Sequence, residues 1–137
     1  MRRQGTKLVH LGHGVIRLGD GEALERRLAS LRAQLSDVLA AHPVAAAAVE
    51  DVFHHRNARS ALILGHARGV VLEVCASKGL AVAAYPPAVV KRSVTGSGKA
   101  EKPQVARMVQ ILLGLAEPPP PDAADALAIA ICHANRS

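Results

Sequence analysis

The spacing of apolar residues along the chain predicts a regular alternation of strands and helices. Four segments carry apolar residues three and four positions apart, which is typical of helices with one buried face. These helices are predicted over residues 22–41, over residues 57–78, from about residue 100 onward, and over residues 122–134, with a shorter one around residues 89–90. Pro43 and Gly79 are placed to end the first two.

Three shorter apolar runs between the helices predict strands. The first covers residues 7–18, where the alternation is loose and rich in glycine, as near the edge of a sheet. The second is residues 44–49, whose length and preceding proline favour a buried strand although alanine itself favours a helix. The third covers residues 80–85. Strands that alternate with helices predict an α/β fold with a partly parallel sheet.

Length and composition are those of one globular domain. The 137 residues are enough to bury a single core, and 50% of them are hydrophobic, which excludes a disordered chain. No uninterrupted apolar run of about 18 residues is present, and the N-terminal segment lacks a signal-peptide core. The two cysteines have no CxxC spacing and are expected to be reduced. The sequence therefore predicts a cytoplasmic protein without a membrane span.

Positive charge dominates and is unevenly distributed. Seventeen Lys and Arg against 11 Asp and Glu give a net charge of +6, which favours a polyanionic partner. Residues 91–107 carry five basic side chains and one acidic one, whereas residues 108–131 carry three acids and no base. A basic segment beside an acidic one suits a metal-dependent nuclease, although a solvated charged loop explains the charge equally well.

Three carboxylates occupy positions suited to binding a divalent cation. Glu50, followed by Asp51, ends the strand predicted at residues 44–49, where open α/β sheets bind ligands. Asp122 and Asp125 are three residues apart and project from one face of the last helix. Carboxylate oxygens of this kind suit Mg²⁺. Simpler explanations exist, since strand-end acids are usually solvated and both aspartates suit the positive end of a helix, Asp122 as its N-cap.

Phe53 is one of only two aromatic residues in the chain. It lies three residues after Glu50 and is followed by the polar, basic run His54-His55-Arg56. An aromatic side chain in such a segment is suited to stacking on an unpaired base. Burial in the core is the commoner fate of a phenylalanine, and the sequence leaves both open.

Three blocks of sequence together resemble the RuvC family of Holliday-junction resolvases, which are crossover-junction endodeoxyribonucleases with an RNase H-like fold. The first is VEDVF at residues 49–53, continued by residues 57–69; the second is residues 90–105, with VTGSGKAEK; the third is DAADALAIA at residues 122–130. The blocks follow the family's order over nearly the whole chain, and the last two are highly specific.

The resemblance implies a single RNase H-like nuclease domain over residues 1–137, with a mixed sheet flanked by helices. It implies that Glu50, Asp122 and Asp125 are catalytic carboxylates that bind two Mg²⁺ ions per active site. The implied activity is Mg²⁺-dependent symmetric nicking of Holliday junctions in DNA recombination and repair, by two-metal hydrolysis without a covalent intermediate.

The same resemblance implies DNA contacts and partners. Phe53 is expected to wedge or stack at the junction, and Lys91 and Lys102 are expected to contact DNA phosphates near the cut. Family members are homodimers whose two sites nick opposing strands of four-way junction DNA. Several members work with the RuvA–RuvB branch-migration complex.

The sequence departs from the family pattern at its N-terminus. The family begins with an aliphatic strand ending in Gly-Ile-Asp-Pro-Gly, whose aspartate binds metal, and neither Asp20 nor Asp37 matches that motif. We therefore expect the first strand to be missing and the chain to be N-terminally truncated, most simply by a misplaced start codon. The alternative function is a junction-binding module that has lost one metal ligand and with it nuclease activity. A purely structural helical protein ranks last.

Overall fold

The computed structural model describes residues 1–51 and 57–136, and these residues contain five helices and four short strands. The strands are β1 (Arg2–Gln4), β2 (Lys7–Val9), β3 (Ala46–Glu50) and β4 (Ala81–Tyr85), and the helices are α1 (Leu24–Ala41), α2 (Ala58–Ser77), α3 (Pro87–Thr95), α4 (Lys102–Leu113) and α5 (Pro121–Arg136). The predicted helices and the second and third predicted strands are confirmed, with ends shifted by a few residues. Asp122 lies inside the first turn of α5 and is therefore not its N-cap.

The first predicted strand is wrong beyond Val9. β2 covers only Lys7–Val9 and pairs antiparallel with β1, so that Arg3 lies opposite Leu8. Gly5 makes the turn between the two strands with a φ of 62°, a conformation that glycine adopts without strain. Further along, Gly12 and Gly14 interrupt the alternation, and glycine weakens a strand because it has no side chain to pack.

The expected mixed sheet is divided into two pairs of strands. β1 pairs with β2, and β3 pairs with β4, while no strand within residues 1–51 and 57–136 joins one pair to the other. β3 and β4 are connected through α2, the helix-containing crossover that the alternation of elements predicts.

The chain divides into two compact units. We call the first the three-helix unit, because it contains α3, α4 and α5; it comprises Met1–Val15, Ala48–Asp51 and Ala83–Ser137. We call the second the two-helix unit, because it contains α1 and α2; it comprises Ile16–Ala47 and Val52–Val82.

A buried core holds the three-helix unit together. α3, α4 and α5 pack against one another, and the core residues are Val90, Val94, Ala100, Val105, Val109, Leu127, Ala128, Ile129, Ile131 and Cys132. Helix α5 alternates large and small buried residues, which lets its neighbours approach closely. Leu112 is 41% exposed, because Val105, Val109 and the partly buried Leu113 occupy the inward face of α4 at four-residue spacing.

The two-helix unit packs more sparsely. α1 lies against α2, and the buried hydrophobic residues of this unit's described part are Leu31, Val74 and Cys75. α2 is the one described helix long and apolar enough to cross a membrane by length and composition. A single such helix is weak evidence for a membrane span, because buried core helices reach the same length and hydropathy. Both cysteines of the chain are free and buried.

Candidate active site

Glu50 is positioned by the end of the β3–β4 pair. It is the last residue of β3, and its side chain is exposed. The amide of the next residue, Asp51, donates a hydrogen bond to the carbonyl of Tyr85 at 3.1 Å, so the ends of the two strands are tied together. Pro87 begins α3 immediately afterwards, at a position where a proline costs no helical hydrogen bond. The same pair of strands therefore fixes the position of Glu50 and the position at which α3, the helix that carries Lys91, begins.

A tightly bonded loop connects Lys91 to Lys102. The hydroxyl of Thr95 donates to the carbonyl of Lys91 at 2.8 Å, and the amide of Ser97 donates to the Thr95 hydroxyl at 3.1 Å. Gly96 ends α3 with a φ of 85°, which favours glycine. A Cβ on Gly98 would lie 3.3 Å from the carbonyl oxygen of Ala88, so a glycine also fits best there.

A capping box fixes Lys102 as the first residue of α4. The backbone amide of Glu101 donates a hydrogen bond to the side-chain oxygen of Gln104 at 2.8 Å. In return, the carboxylate of Glu101 accepts a hydrogen bond from the backbone amide of Gln104. These residues belong to one of the two sequence blocks whose resemblance to the RuvC family is highly specific. Its specificity thus has a structural reason, since the block builds the connection between two lysine-bearing helices.

Asp125 is held by the most deeply buried helix of the three-helix unit. Ala124 and Ala128, which lie on the same side of Asp125 around the helix, are 4% and 2% exposed, and their burial fixes the rotation of α5 about its axis. Asp125 itself is half-buried, and its Oδ2 lies 3.4 Å from the Nζ of Lys102. Their side chains are 46% and 79% exposed, so water screens this ion pair and it contributes little to stability.

These side chains meet around one cavity of about 210 Å³, which we call the carboxylate cavity. Its lining consists of two acids, two lysines and an apolar floor: Glu50, Asp125, Lys91, Lys102, Pro87, Val90, Val105, Ala128 and Ile129. Carboxylate oxygens are the ligands that hard divalent cations prefer, and such cations complete their coordination with waters and substrate phosphates. The residues present therefore fit a divalent cation bound next to a phosphate.

Two predicted site residues do not join this arrangement. Asp122 is exposed in the first turn of α5 and does not line the carboxylate cavity. Phe53 lies outside the described residues. Over residues 1–51 and 57–136 no group of three or more His, Cys, Asp or Glu side chains is close enough to hold a metal ion. The structure thus brings together Glu50, Asp125 and both lysines.

The apolar floor was not anticipated from the sequence, although helical spacing indicates it. Pro87 precedes Lys91 by four residues, and Ile129 follows Asp125 by four, so each lies on the same helix face as the charged residue. Val105 follows Lys102 by three residues in the same way. The spacing identifies neighbours on one helix, whereas their meeting across three helices depends on tertiary packing.

Tyr85 is a further residue that the sequence did not mark. Its hydroxyl lies 2.7 Å from Nδ1 of His133, and the guanidinium of Arg136 lies 5.4 Å from the centre of its ring. Its backbone carbonyl accepts the hydrogen bond from Asp51. Tyr85 therefore links the strand end that carries Glu50 to the C-terminal turn of α5, the helix that carries Asp125.

Comparison with known proteins gives matches over almost the entire chain. A family described as "Crossover junction endodeoxyribonuclease RuvC" matches residues 1–133. The RuvC of Sorangium cellulosum is 50% identical over 131 residues, covering 96% of this chain and 73% of that protein. The RuvC of Sphingopyxis alaskensis is 47% identical over 135 residues, covering 98% and 86%.

Two solved structures are similar in fold as well as sequence. A structure of Thermus thermophilus RuvC superposes with a TM-score of 0.84 at 37% identity, covering 98% of this chain and 81% of that one. A structure of T. thermophilus RuvC in complex with Holliday junction substrate gives a TM-score of 0.90 at 37% identity, covering 98% and 82%.

Proposed function

This chain belongs to the RuvC family of crossover junction endodeoxyribonucleases, and we propose that it resolves Holliday junctions by symmetric nicking during DNA recombination and repair. The observation that carries the proposal is the carboxylate cavity, in which Glu50 and Asp125 lie beside Lys91 and Lys102. Two carboxylates that can hold a cation and two lysines that can bind a phosphate are groups suited to metal-assisted phosphodiester hydrolysis. We further propose that both units together form the nuclease domain.

Enzymes of this family are metal-dependent nucleases, and we propose Mg²⁺, two ions per site, as the cofactor here. Glu50 and Asp125 would hold it, and we propose Asp122 as a third ligand because it lies three residues before Asp125 on α5, although it is outside the lining of the carboxylate cavity. When bound, the cation lowers the pKa of the attacking water and stabilises the leaving oxygen. The carboxylates bring the negative charge that attracts it to this cavity.

The lysines act on the phosphate. The ammonium groups of Lys91 and Lys102 neutralise the scissile phosphate and orient it, and they release the counterions bound to DNA. Before DNA binds, Lys102 is paired with Asp125 across 3.4 Å. Because that pair is exposed and weak, Lys102 can transfer to a phosphate at little cost, which leaves Asp125 available to a cation.

We propose that the protein acts as a homodimer, since a four-way junction presents two equivalent strands to two sites. Support comes from α2, where the consecutive residues Leu62, Ile63 and Leu64 are 62%, 37% and 42% exposed. Large apolar side chains left exposed on one segment of a helix lose contact with water when a partner covers them. We also propose that Phe53 wedges or stacks at the junction. The RuvA–RuvB complex is the proposed partner, and the proposed location is the cytoplasm.

The decisive experiment is nicking of a synthetic four-way junction in Mg²⁺, beside a linear duplex of the same sequence. We expect paired nicks in the junction alone. Glu50→Gln, Asp122→Asn and Asp125→Asn should each lower the rate by about 100-fold or more, because each removes a cation ligand. Glu117→Gln is the matched control, since Glu117 is exposed and lines no part of the carboxylate cavity. Equal nicking of junction and duplex, or full activity in the three variants, would contradict the proposal.

One observation favours the alternative of a junction-binding module without nuclease activity. Of the three predicted carboxylates, only Glu50 and Asp125 line the carboxylate cavity. This alternative predicts binding to the junction without nicking in Mg²⁺. In either case, Lys91→Ala and Lys102→Ala should each weaken binding to the junction. Each should also reduce the slope of log K against log salt concentration by about 1, the amount expected for one lost phosphate contact.

A further inference from the structure

A second cavity adjoins the carboxylate cavity and is chemically different from it. It has a volume of about 280 Å³, and we call it the proline cavity. It shares Lys102, Val105 and Asp125 with the carboxylate cavity, and its remaining lining is Pro103, Ala106, Pro119, Pro121 and Ala124. All of these remaining residues are apolar, so a charged rim leads directly into an apolar recess.

The walls of the proline cavity are rigid. Pro103 lies in the first turn of α4, Pro121 begins α5, and Pro119 is buried between the two helices in sequence. Ala106 and Ala124 present only methyl groups. None of these side chains loses rotamer freedom when a ligand binds, so the recess is preformed. Its volume is just below the range of roughly 300–1,000 Å³ that is typical of small-molecule sites, which suits one part of a larger ligand.

The position of the proline cavity next to Lys102 indicates which part of a DNA substrate it would bind. Lys102 lines both cavities, so a DNA strand whose phosphate lies at Lys102 can place the nucleoside on one side of that phosphate against the surface next to the carboxylate cavity. That surface is the proline cavity, which offers apolar contact to a sugar or a base and no competing charge beyond its rim. Given the proposed nuclease activity, on which this inference rests, we propose that the proline cavity binds the nucleoside adjoining the scissile phosphate.

Enlarging one wall residue tests the proposal. Ala106 is half-buried in the proline cavity, whereas Ala126 is exposed on α5 and lines neither cavity, which makes Ala126→Leu a matched control for Ala106→Leu. We expect Ala106→Leu to raise the KM for junction nicking about tenfold, with kcat reduced less, because the added methylenes fill the space of the nucleoside. Ala126→Leu should stay within about twofold of wild type. Equal KM values for the two variants would overturn the proposal.

An abasic nucleotide, placed on either side of the cut in turn, identifies which part of the nucleoside enters. If the base enters, a junction with the abasic nucleotide on one particular side of the cut should bind wild type more weakly than the intact junction does. For Ala106→Leu, the same abasic nucleotide should cause little further loss of affinity. If the sugar alone enters, the abasic junction should behave normally and Ala106→Leu should still be impaired. Thermal melting checks that the variants fold, and Ala106→Val provides a milder substitution.

Failure of the nuclease proposal would be recognised separately. In that case wild type would nick no junction in Mg²⁺, and the cavity would be tested by equilibrium binding of the junction in EDTA. Weaker binding by Ala106→Leu than by Ala126→Leu would still support a nucleoside in the recess. Identical binding by the two variants would reject it.

Discussion

The two units of the molecule bury their apolar residues very unequally. Among the described residues, every buried hydrophobic side chain except Leu31, Val74 and Cys75 belongs to the three-helix unit. The two-helix unit exposes apolar side chains along α2, where Leu62 reaches 62% exposure, and the three-helix unit exposes Ile111 on α4 by 58%. In the three-helix unit a core side chain such as Ile131 has no exposed surface.

This difference matches what each unit has to do. The carboxylate cavity requires acids and lysines held on rigid supports, and tightly packed helices provide such supports. A helix with exposed leucines lowers its free energy by covering them with another protein surface. The difference in packing is therefore what we expect if, as proposed, the three-helix unit carries the active site and α2 forms the dimer interface.

The largest expected effect tests the difference in packing directly. Ile131→Ala should lower the free energy of unfolding by about 2–5 kcal/mol, because it leaves a cavity in the core. Leu62→Ala should change it by only about 0.5 kcal/mol in a monomer, because that side chain is mostly in water already. Urea denaturation at low protein concentration measures both. Similar losses for the two variants would show that the contrast between the units is wrong.

The second prediction concerns association. Leu62→Lys should raise the dimer dissociation constant about tenfold or more, since a charge on an apolar interface must be desolvated. Ile111→Lys is the control, because Ile111 is 58% exposed on α4, in the other unit. Sedimentation across a concentration series gives the dissociation constant of each variant. A dimer that resists Leu62→Lys but is disrupted by Ile111→Lys would move the interface to the three-helix unit.

Much of this architecture could be predicted from local patterns. The three-and-four spacing that defines α1 and α2 is a property of each segment alone, and both helices were placed correctly. The resemblance to the RuvC family is confirmed by the match over residues 1–133, and the RNase H-like fold is confirmed by the solved structures. The metal-binding and DNA-binding roles of individual residues stay predictions.

What could not be predicted depends on packing between distant segments. Tyr85 and His133 are 48 residues apart, and nothing in the sequence around either one indicates their hydrogen bond. Glu50 and Asp125 were each candidates, but only the packing of α3, α4 and α5 shows that they line one cavity while Asp122 does not.

The third prediction is a smaller effect within the three-helix unit. Tyr85→Phe should lower the free energy of unfolding by about 1 kcal/mol, because it removes the hydrogen bond to His133 and keeps the ring. If Tyr85 positions Glu50 and Asp125, the variant should also need more Mg²⁺ for half-maximal nicking at a temperature where it remains folded. Unchanged Mg²⁺ dependence would restrict Tyr85 to a structural role.

The smallest expected effect lies at the N-terminal side of the three-helix unit, where Nε2 of His10 and Nδ1 of His13 are 2.9 Å apart. Partial burial lowers the pKa of His10 below its usual 6.5, and the nearby His13 and N-terminal amine lower it further. The unfolded chain therefore binds more protons than the folded protein in the interval just below pH 6.5. Folding stability should rise with pH through that interval and become level above it, and His10→Gln should flatten the rise.

Thermal midpoints measured from about pH 5 to about pH 7.5 test this prediction. His42→Gln is the control, because His42 is an exposed histidine of the two-helix unit. If His42→Gln flattens the profile and His10→Gln leaves it unchanged, the pH-sensitive group belongs to the two-helix unit, because only a group whose pKa changes on folding can produce such a slope.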